Sequence, residues 1–234
     1  MPELPEAEVA ARQLRERVVG ATVRDCWIGR EDIVREGLPS LEQYRQAKIS
    51  GVERKGKSVI LHFLCGKEPR FLVAELGMTG LLLFRSTLTK HPQHTHFILH
   101  LDGCCEPDIR YWNPRRFGRL SLLDRAGLDR YVARRFGHDP LTISHEKFLR
   151  VLRATRSRLK SLLMHQQVIA GIGNIYANEI LFRSRLHPNQ PSNSIPGKSI
   201  TRLHQVMGEV LREAIAMGGS SVRDYFAPDG TEGQ

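Results

Sequence analysis

The chain has 234 residues, of which 41% are hydrophobic and 26% charged, a balance that supports a hydrophobic core and excludes disorder as the main state. No run of about 18 apolar residues occurs, and the opening Met1-Pro2-Glu3-Leu4-Pro5-Glu6 has none of the apolar stretch of a secretory signal, so no membrane span and a cytoplasmic location are expected. Lys plus Arg number 35 against 25 Asp plus Glu, a formal charge of +10 that favours a polyanion as partner, although many basic proteins bind none.

Over residues 4–18 the apolar positions Val9, Ala10, Leu14 and Val18 recur at helical spacing, Pro5 suits a first turn and Gly20 can end the element, so an amphipathic helix is predicted. Runs rich in β-formers follow at 22–28, 58–64, 71–76, 81–84, 96–101 and 119–123, separated by glycine-bearing or polar segments. They predict a β-sandwich or flattened barrel with the helix alongside. Beyond Asp124 the period turns helical, at 128–135, 145–154, 157–164, 175–183 and 200–217, which makes the class α+β with a second, helical domain. Residues 136–142 read as the hinge between them, and the glycine-rich, polar tail from Gly218 reads as a mobile loop. Cys26, Cys65, Cys104 and Cys105 include no Cys-x-x-Cys pair, a poor layout for a disulfide framework or a zinc site; reduced, mostly buried thiols are expected.

The amino terminus carries possible chemistry. A small second residue lets the initiator Met be removed, which leaves Pro2 as a secondary amine. With an ordinary α-amino pKa of about 7.7–8.0 a useful fraction is unprotonated near neutrality, and attack on an aldehyde carbon gives an iminium directly. Glu3 beside it can move protons. Taken alone, Pro and Glu at a helix start are ordinary capping choices.

These residues share the chain with Lys57, with Leu76-Gly77-Met78-Thr79-Gly80, with Asn113-Pro114-Arg115-Arg116-Phe117-Gly118 and with Ala170-Gly171-Ile172-Gly173-Asn174-Ile175-Tyr176. In block order and approximate spacing this set resembles the formamidopyrimidine-DNA glycosylase family from Pro2 to Gln234, and Leu4 matches the formamidopyrimidine branch rather than the endonuclease VIII branch. The resemblance implies a catalytic β-sandwich over 1–124, a hinge segment over 125–142 and a helical domain over 143–234 containing a helix-two-turn-helix motif. It implies a bifunctional DNA glycosylase and abasic-site lyase of base excision repair, a monomer in the bacterial cytosol that removes 8-oxoguanine and formamidopyrimidines from damaged double-stranded DNA without a cofactor.

By the same resemblance Pro2 is the nucleophile toward the deoxyribose C1′, Glu3 the proton carrier and Lys57 a helper near the scissile sugar and phosphate. Met78, Arg115 and Phe117 match the residues that fill the void left by an extruded nucleotide. Lys160 matches a position near the damaged base or its phosphate, Asn174 would cap its helix and contact phosphate at the helix N-terminus, and His94 resembles a phosphate-contacting histidine. The loop at 220–225 would close over the flipped base. Arg134, Arg135, Arg153, Arg156 and Arg158 border these blocks and would line a groove between the domains. Each has a bland alternative: core packing for Met78 and Phe117, a solvated hairpin lysine for Lys57, a strand-end histidine for His94, a solvated helix face for the arginines.

Typical members continue into a β-hairpin zinc finger with four cysteines and a phosphate-binding arginine, whereas this sequence stops at Gln234, so no metal is expected. A catalytically weak damaged-DNA-binding protein is therefore the competing reading. An unrelated RNA-binding protein would fit the charge but leaves the block order unexplained.

Overall fold

A computed structural model describes residues 1–85, 92–220 and 225–233 of the chain. The amino-terminal helix α1 (Leu4–Val18) forms where expected, with a proline in its first turn and the Glu3 N–H donating to the Glu6 carboxylate at 2.7 Å, half of a capping box. Its buried side chains divide between two cores. Ala7, Ala10, Ala11, Leu14 and Val18 join the core of the strands that follow, while Leu4 and Val9 join that of the later helices.

Nine strands come next: β1 (Thr22–Ile28), β2 (Val34–Glu36), β3 (Lys48–Lys55), β4 (Ser58–Cys65), β5 (Glu68–Glu75), β6 (Leu81–Phe84), β7 (Thr95–Asp102), β8 (Asp108–Trp112) and β9 (Leu120–Leu123). Their order is β2-β9-β5-β4-β3-β1-β7-β8-β6, antiparallel throughout except for the parallel pair β2–β9. The join between β1 and β3 is a single Cα pair, Thr22 with Lys48, so the sheet folds over there into two layers. Phe84, Phe97, Leu99 and Ile109 of one layer face Ile49, Leu61, Phe63 and Leu72 of the other in one core. The end strands β2 and β6 do not pair, so the result is a sandwich rather than a closed barrel. Fully burying each such phenylalanine or leucine contributes roughly 1.5–3 kcal/mol, which makes this interlayer core the main support of the half.

Three strands escaped the sequence reading: β2, β3 and β8. The tail also differs from expectation. Tyr225 and Ala227 are buried, Tyr225 packs with Leu81, Leu83 and Trp112, and the Phe84 N–H donates to the Pro228 carbonyl, so 225–228 cover the β6 edge instead of moving freely. All four cysteines are free; Cys26, Cys65 and Cys104 are half-buried against the sandwich core and Cys105 is exposed, less buried than predicted.

The helices are α2 (Arg125–Arg135), α3 (His145–Arg153), α4 (Leu159–Leu163), α5 (Asn174–Ser184) and α6 (Gly197–Ala216). Asp124 caps α2 by accepting from Gly127 N, and Ser144 caps α3 by accepting from Lys147 N. Helix α2 lies on the outer face of the sandwich, its Leu128 and Tyr131 packed on Ile60, Phe71, Val73 and Leu123. The segment after it is tied to the loop before α5: Gly137 N donates to Gln166 O, His138 N to Val168 O and Ala170 N to His138 O. Arg54 of β3, almost fully buried, bonds Glu8 of α1 at 2.9 Å and Asp139 of this segment at 2.5 Å, so one guanidinium links all three parts.

Candidate active site

The site forms where α1 begins, because the same few residues must meet both cores. Pro2 and Glu3 are buried, the Leu4 N–H donates to the Gly171 carbonyl at 3.0 Å, and Met1 is exposed at the wall of a cleft of about 420 Å³. Lys57, immediately before β4 and after the tight turn at Gly56, lines the same cleft.

Glu3 is 1% exposed, and its carboxylate accepts from the backbone N–H groups of Gly173 at 2.7 Å, Ile175 at 3.0 Å and Tyr176 at 3.4 Å. It therefore sits on the positive end of α5, held by donors that a helix leaves unsatisfied. Asn174 was expected to cap that helix. It is instead the exposed first helical residue, Gly173 is the N-cap, and Glu3, far away in sequence, does the capping. The helix N-terminus thus receives a carboxylate of the chain itself where a phosphate was expected. Gly173 is required for this approach, since a Cβ there would overlap both the Glu3 carboxylate and Lys57 Nζ.

Burial pushes the Glu3 carboxyl above its ordinary value, against the opposing pull of Lys57 and the three N–H groups. Burial pushes the Lys57 ammonium below its ordinary value, against Glu3 and Glu6. A neighbouring acid and base drawn toward one another in this way are suited to proton transfer. Beneath them Glu6, also 1% exposed, was not singled out by sequence: it accepts from Glu3 N, from the Tyr176 hydroxyl at 2.6 Å and from Ser220 N at 2.8 Å, and its carbonyl accepts from Tyr225 OH. Residues 221–224 of the loop expected to close over a base lie outside the described residues.

Met78 and Phe117 also line the cleft, and with 39% and 57% exposure they are not core residues. The Arg115 guanidinium lies over the Phe117 ring at 5.1 Å. The turns that carry them are stapled together. Asn113, fully buried, donates to the Gly118 carbonyl and the Tyr111 hydroxyl and accepts from Arg116 N and the Thr79 hydroxyl, while Thr79 accepts from Arg115 N. Gly77, at φ +60°, packs so closely on Gly118 that a side chain would strike its backbone. Asn113 and Thr79 stand in the same two sequence blocks as Met78, Arg115 and Phe117, and their polar side chains beside glycines are the local sign of such a staple.

The remaining expected residues spread around this centre. His94 stands at a separate depression with Arg30, His96 and Arg116, its ring edge-on to Trp112, and its carbonyl accepts from Asn113 N. Lys160 is half-buried on α4, its N–H donating to the Pro188 carbonyl. Arg134 and Arg135 line the cleft, whereas Arg153 is spent on the Asn193 and Ile195 carbonyls and does not.

Two family profiles match the chain: "Formamidopyrimidine-DNA glycosylase N-terminal domain" over residues 1–120 and "Formamidopyrimidine-DNA glycosylase H2TH domain" over residues 136–225. The formamidopyrimidine-DNA glycosylase of Thermus thermophilus is 38% identical across the whole chain, which spans 84% of that protein, and the one from Thermomicrobium roseum is 36% identical, with 85% of it spanned. The crystal structure of the Thermus thermophilus protein superposes with a TM-score of 0.85 at 36% identity, covering 99% of this chain and 84% of that one. The Lactococcus lactis protein in complex with abasic-site DNA superposes at 0.86 with 28% identity, covering 98% and 84%. With both profiles and full-length relatives agreeing, the chain belongs to the formamidopyrimidine-DNA glycosylase family.

Proposed function

We propose that this DNA glycosylase of base excision repair is bifunctional, excising oxidised purines such as 8-oxoguanine and formamidopyrimidines from damaged duplex DNA and then cleaving the abasic strand. Once Met1 is removed, the Pro2 nitrogen attacks C1′ of an extruded nucleotide, the base leaves with a proton, and a Schiff base links enzyme and sugar. The iminium acidifies the C2′ proton, so successive eliminations break the C3′–O and C5′–O bonds and release both phosphates. Glu3 moves the protons and Lys57 assists at the sugar and its phosphate. Met78, Arg115 and Phe117 fill the vacated stack, and Lys160, Asn174 and His94 grip phosphates. The sandwich of residues 1–124 supplies the chemistry and the helical part of 143–234 the grip, joined through 125–142.

The observation that carries this reading is the meeting of the amino terminus, Glu3 and Lys57 at one end of a cleft whose other wall presents exposed Met78 and Phe117. Borohydride trapping on a duplex with 8-oxoguanine opposite cytosine tests it. A covalent adduct formed at Pro2 is expected; tight binding to the damaged duplex with no adduct would favour a binding protein instead.

A further inference from the structure

A second cavity, of about 500 Å³, adjoins the cleft and shares Tyr131, Arg134, Arg135 and Gln167 with it. Its other walls bring Arg35 of β2 and Arg130 of α2, so four guanidinium groups meet there. Two are fixed in place. Arg35 lies 2.6 Å and Arg135 3.2 Å from the Glu75 carboxylate, which also accepts the Tyr131 hydroxyl at 2.9 Å, and Arg135 stacks on the Tyr131 ring at 4.9 Å. The other two, Arg130 and Arg134, are exposed one turn apart on α2 and form no ion pair among the described residues. Gln167 donates to the Arg134 carbonyl at 2.9 Å, which ties the end of α2 to the loop before α5.

Among the described residues Glu36 is the carboxylate that lines this cavity, and Glu75, on the wall of the neighbouring cleft, pairs with two of its arginines, so two carboxylates stand against four guanidiniums and the pocket retains excess positive charge. Guanidinium forks match the oxygens of carboxylates and phosphates bidentately, and they are a common means of phosphate recognition. The shared walls make the pocket continuous with the cleft in which the proposed function seats the lesion-bearing strand. A recess beside that path suits a strand end more than an uninterrupted backbone, and a terminal phosphate carries nearly two charges at neutral pH where a phosphodiester carries one. The family resemblance gives no role to Arg35 or Arg130.

We infer that the Arg35–Arg130–Arg134–Arg135 pocket is a phosphate subsite for the lesion-bearing strand, and that it holds the terminal phosphate left by strand cleavage more tightly than the intact backbone. The inference rests on the lyase reading above, since elimination is what creates such an end. Retention of the cleaved strand would then slow turnover without slowing the chemistry.

The test uses the full chain and two gapped duplexes of one sequence, with either phosphates or hydroxyls at the gap, compared by fluorescence anisotropy. The parent is expected to prefer phosphate ends by about tenfold, and the Arg130→Gln/Arg134→Gln double variant to lose that preference to within about twofold. Both residues are exposed, and melting curves check that the variant folds as the parent does; Arg130→Lys/Arg134→Lys should keep most of the preference. Equal affinities in the parent, or an undiminished preference in the glutamine variant, would overturn the subsite. Competition by inorganic phosphate at the duplex concentration would assign the pocket to the free ion and overturn its assignment to a strand. Trapping of the parent, run in parallel, separates the two readings: an adduct without phosphate preference removes the subsite alone, and a preference without an adduct removes the lyase and keeps the phosphate site.

Discussion

At Glu3, burial and hydrogen bonding act in opposite directions, and burial prevails. The folded carboxyl therefore binds its proton more tightly than the unfolded one, so its contribution to stability is full below the ordinary carboxylate pKa and is lost as pH rises through the raised folded value. Glu3→Gln should remove that pH-dependent loss from a melting series between about pH 4 and 8 while abolishing base excision, because the amide keeps the size but cannot exchange a proton. Lys57 opposes the rise at Glu3, so Lys57→Met should move the Glu3 carboxyl higher still, as read by a carbon-13 carboxyl titration; an unmoved midpoint would mean that the two groups are not coupled. At Pro2, glycine substitution replaces a constrained secondary amine with a primary one, and the yield of borohydride adduct should fall about tenfold or more with binding to damaged duplex largely retained. Pro2 and Glu3, which stand side by side, and Lys57, which does not, were legible in sequence only through the set of blocks that they share with the family. The cap of α5 was not legible, because Glu3 lies 170 residues before Gly173 and displaces Asn174 from a role that any local pattern assigns to it.

The elements that carry the proposed wedge depend on Asn113, which satisfies groups from two turns and from β8 at once. Asn113→Ala removes its side-chain hydrogen bonds to the Gly118 carbonyl, the Tyr111 and Thr79 hydroxyls and the Arg116 N–H at a fully buried position and should cost about 2 kcal/mol in a denaturant titration. It should also loosen Met78 and Phe117 together, seen as lost fluorescence change of a base analogue placed beside the lesion. If the base responds as with the parent, the wedge does not depend on this staple. The helices and six of the nine strands could be read from periodicity, and the three that could not have physical causes. Strand β3 has a bulge between Ile49 and Gly51 that breaks the two-residue alternation, and it ends in charged residues that reach the Arg54 bridge. Strand β8 puts Asp108 and Arg110 in its run, where their mutual ion pair and His100 make a polar-looking segment tolerable inside a sheet. Strand β2 has three residues and pairs in parallel with a partner far along the chain.

Across the molecule, one buried side chain ties the sandwich to the segment that leads into the helical part. Arg54 is 6% exposed and faces Glu8 and Asp139, so Arg54→Met leaves Asp139 without its cation and Glu8 with Arg12 alone and should cost about 3 kcal/mol, with the melting temperature falling more at neutral pH than at pH 4. An equal loss at both pH values would indicate that packing rather than charge is what the arginine supplies. The division into a sandwich and a helical part was readable from the change of period near Asp124, but this link was not, since it joins residues scattered across both halves. The carboxylate cap on α5 has a consequence in time as well as in space. On a ribosome Pro2 and Glu3 emerge 170 residues ahead of the N–H groups that receive Glu3, an interval of roughly 10–30 s at ordinary rates of synthesis. Throughout that interval the amine has no assembled surroundings, so on the proposed mechanism a nascent chain freed of Met1 exposes its nucleophile to the cell without being able to direct it at DNA.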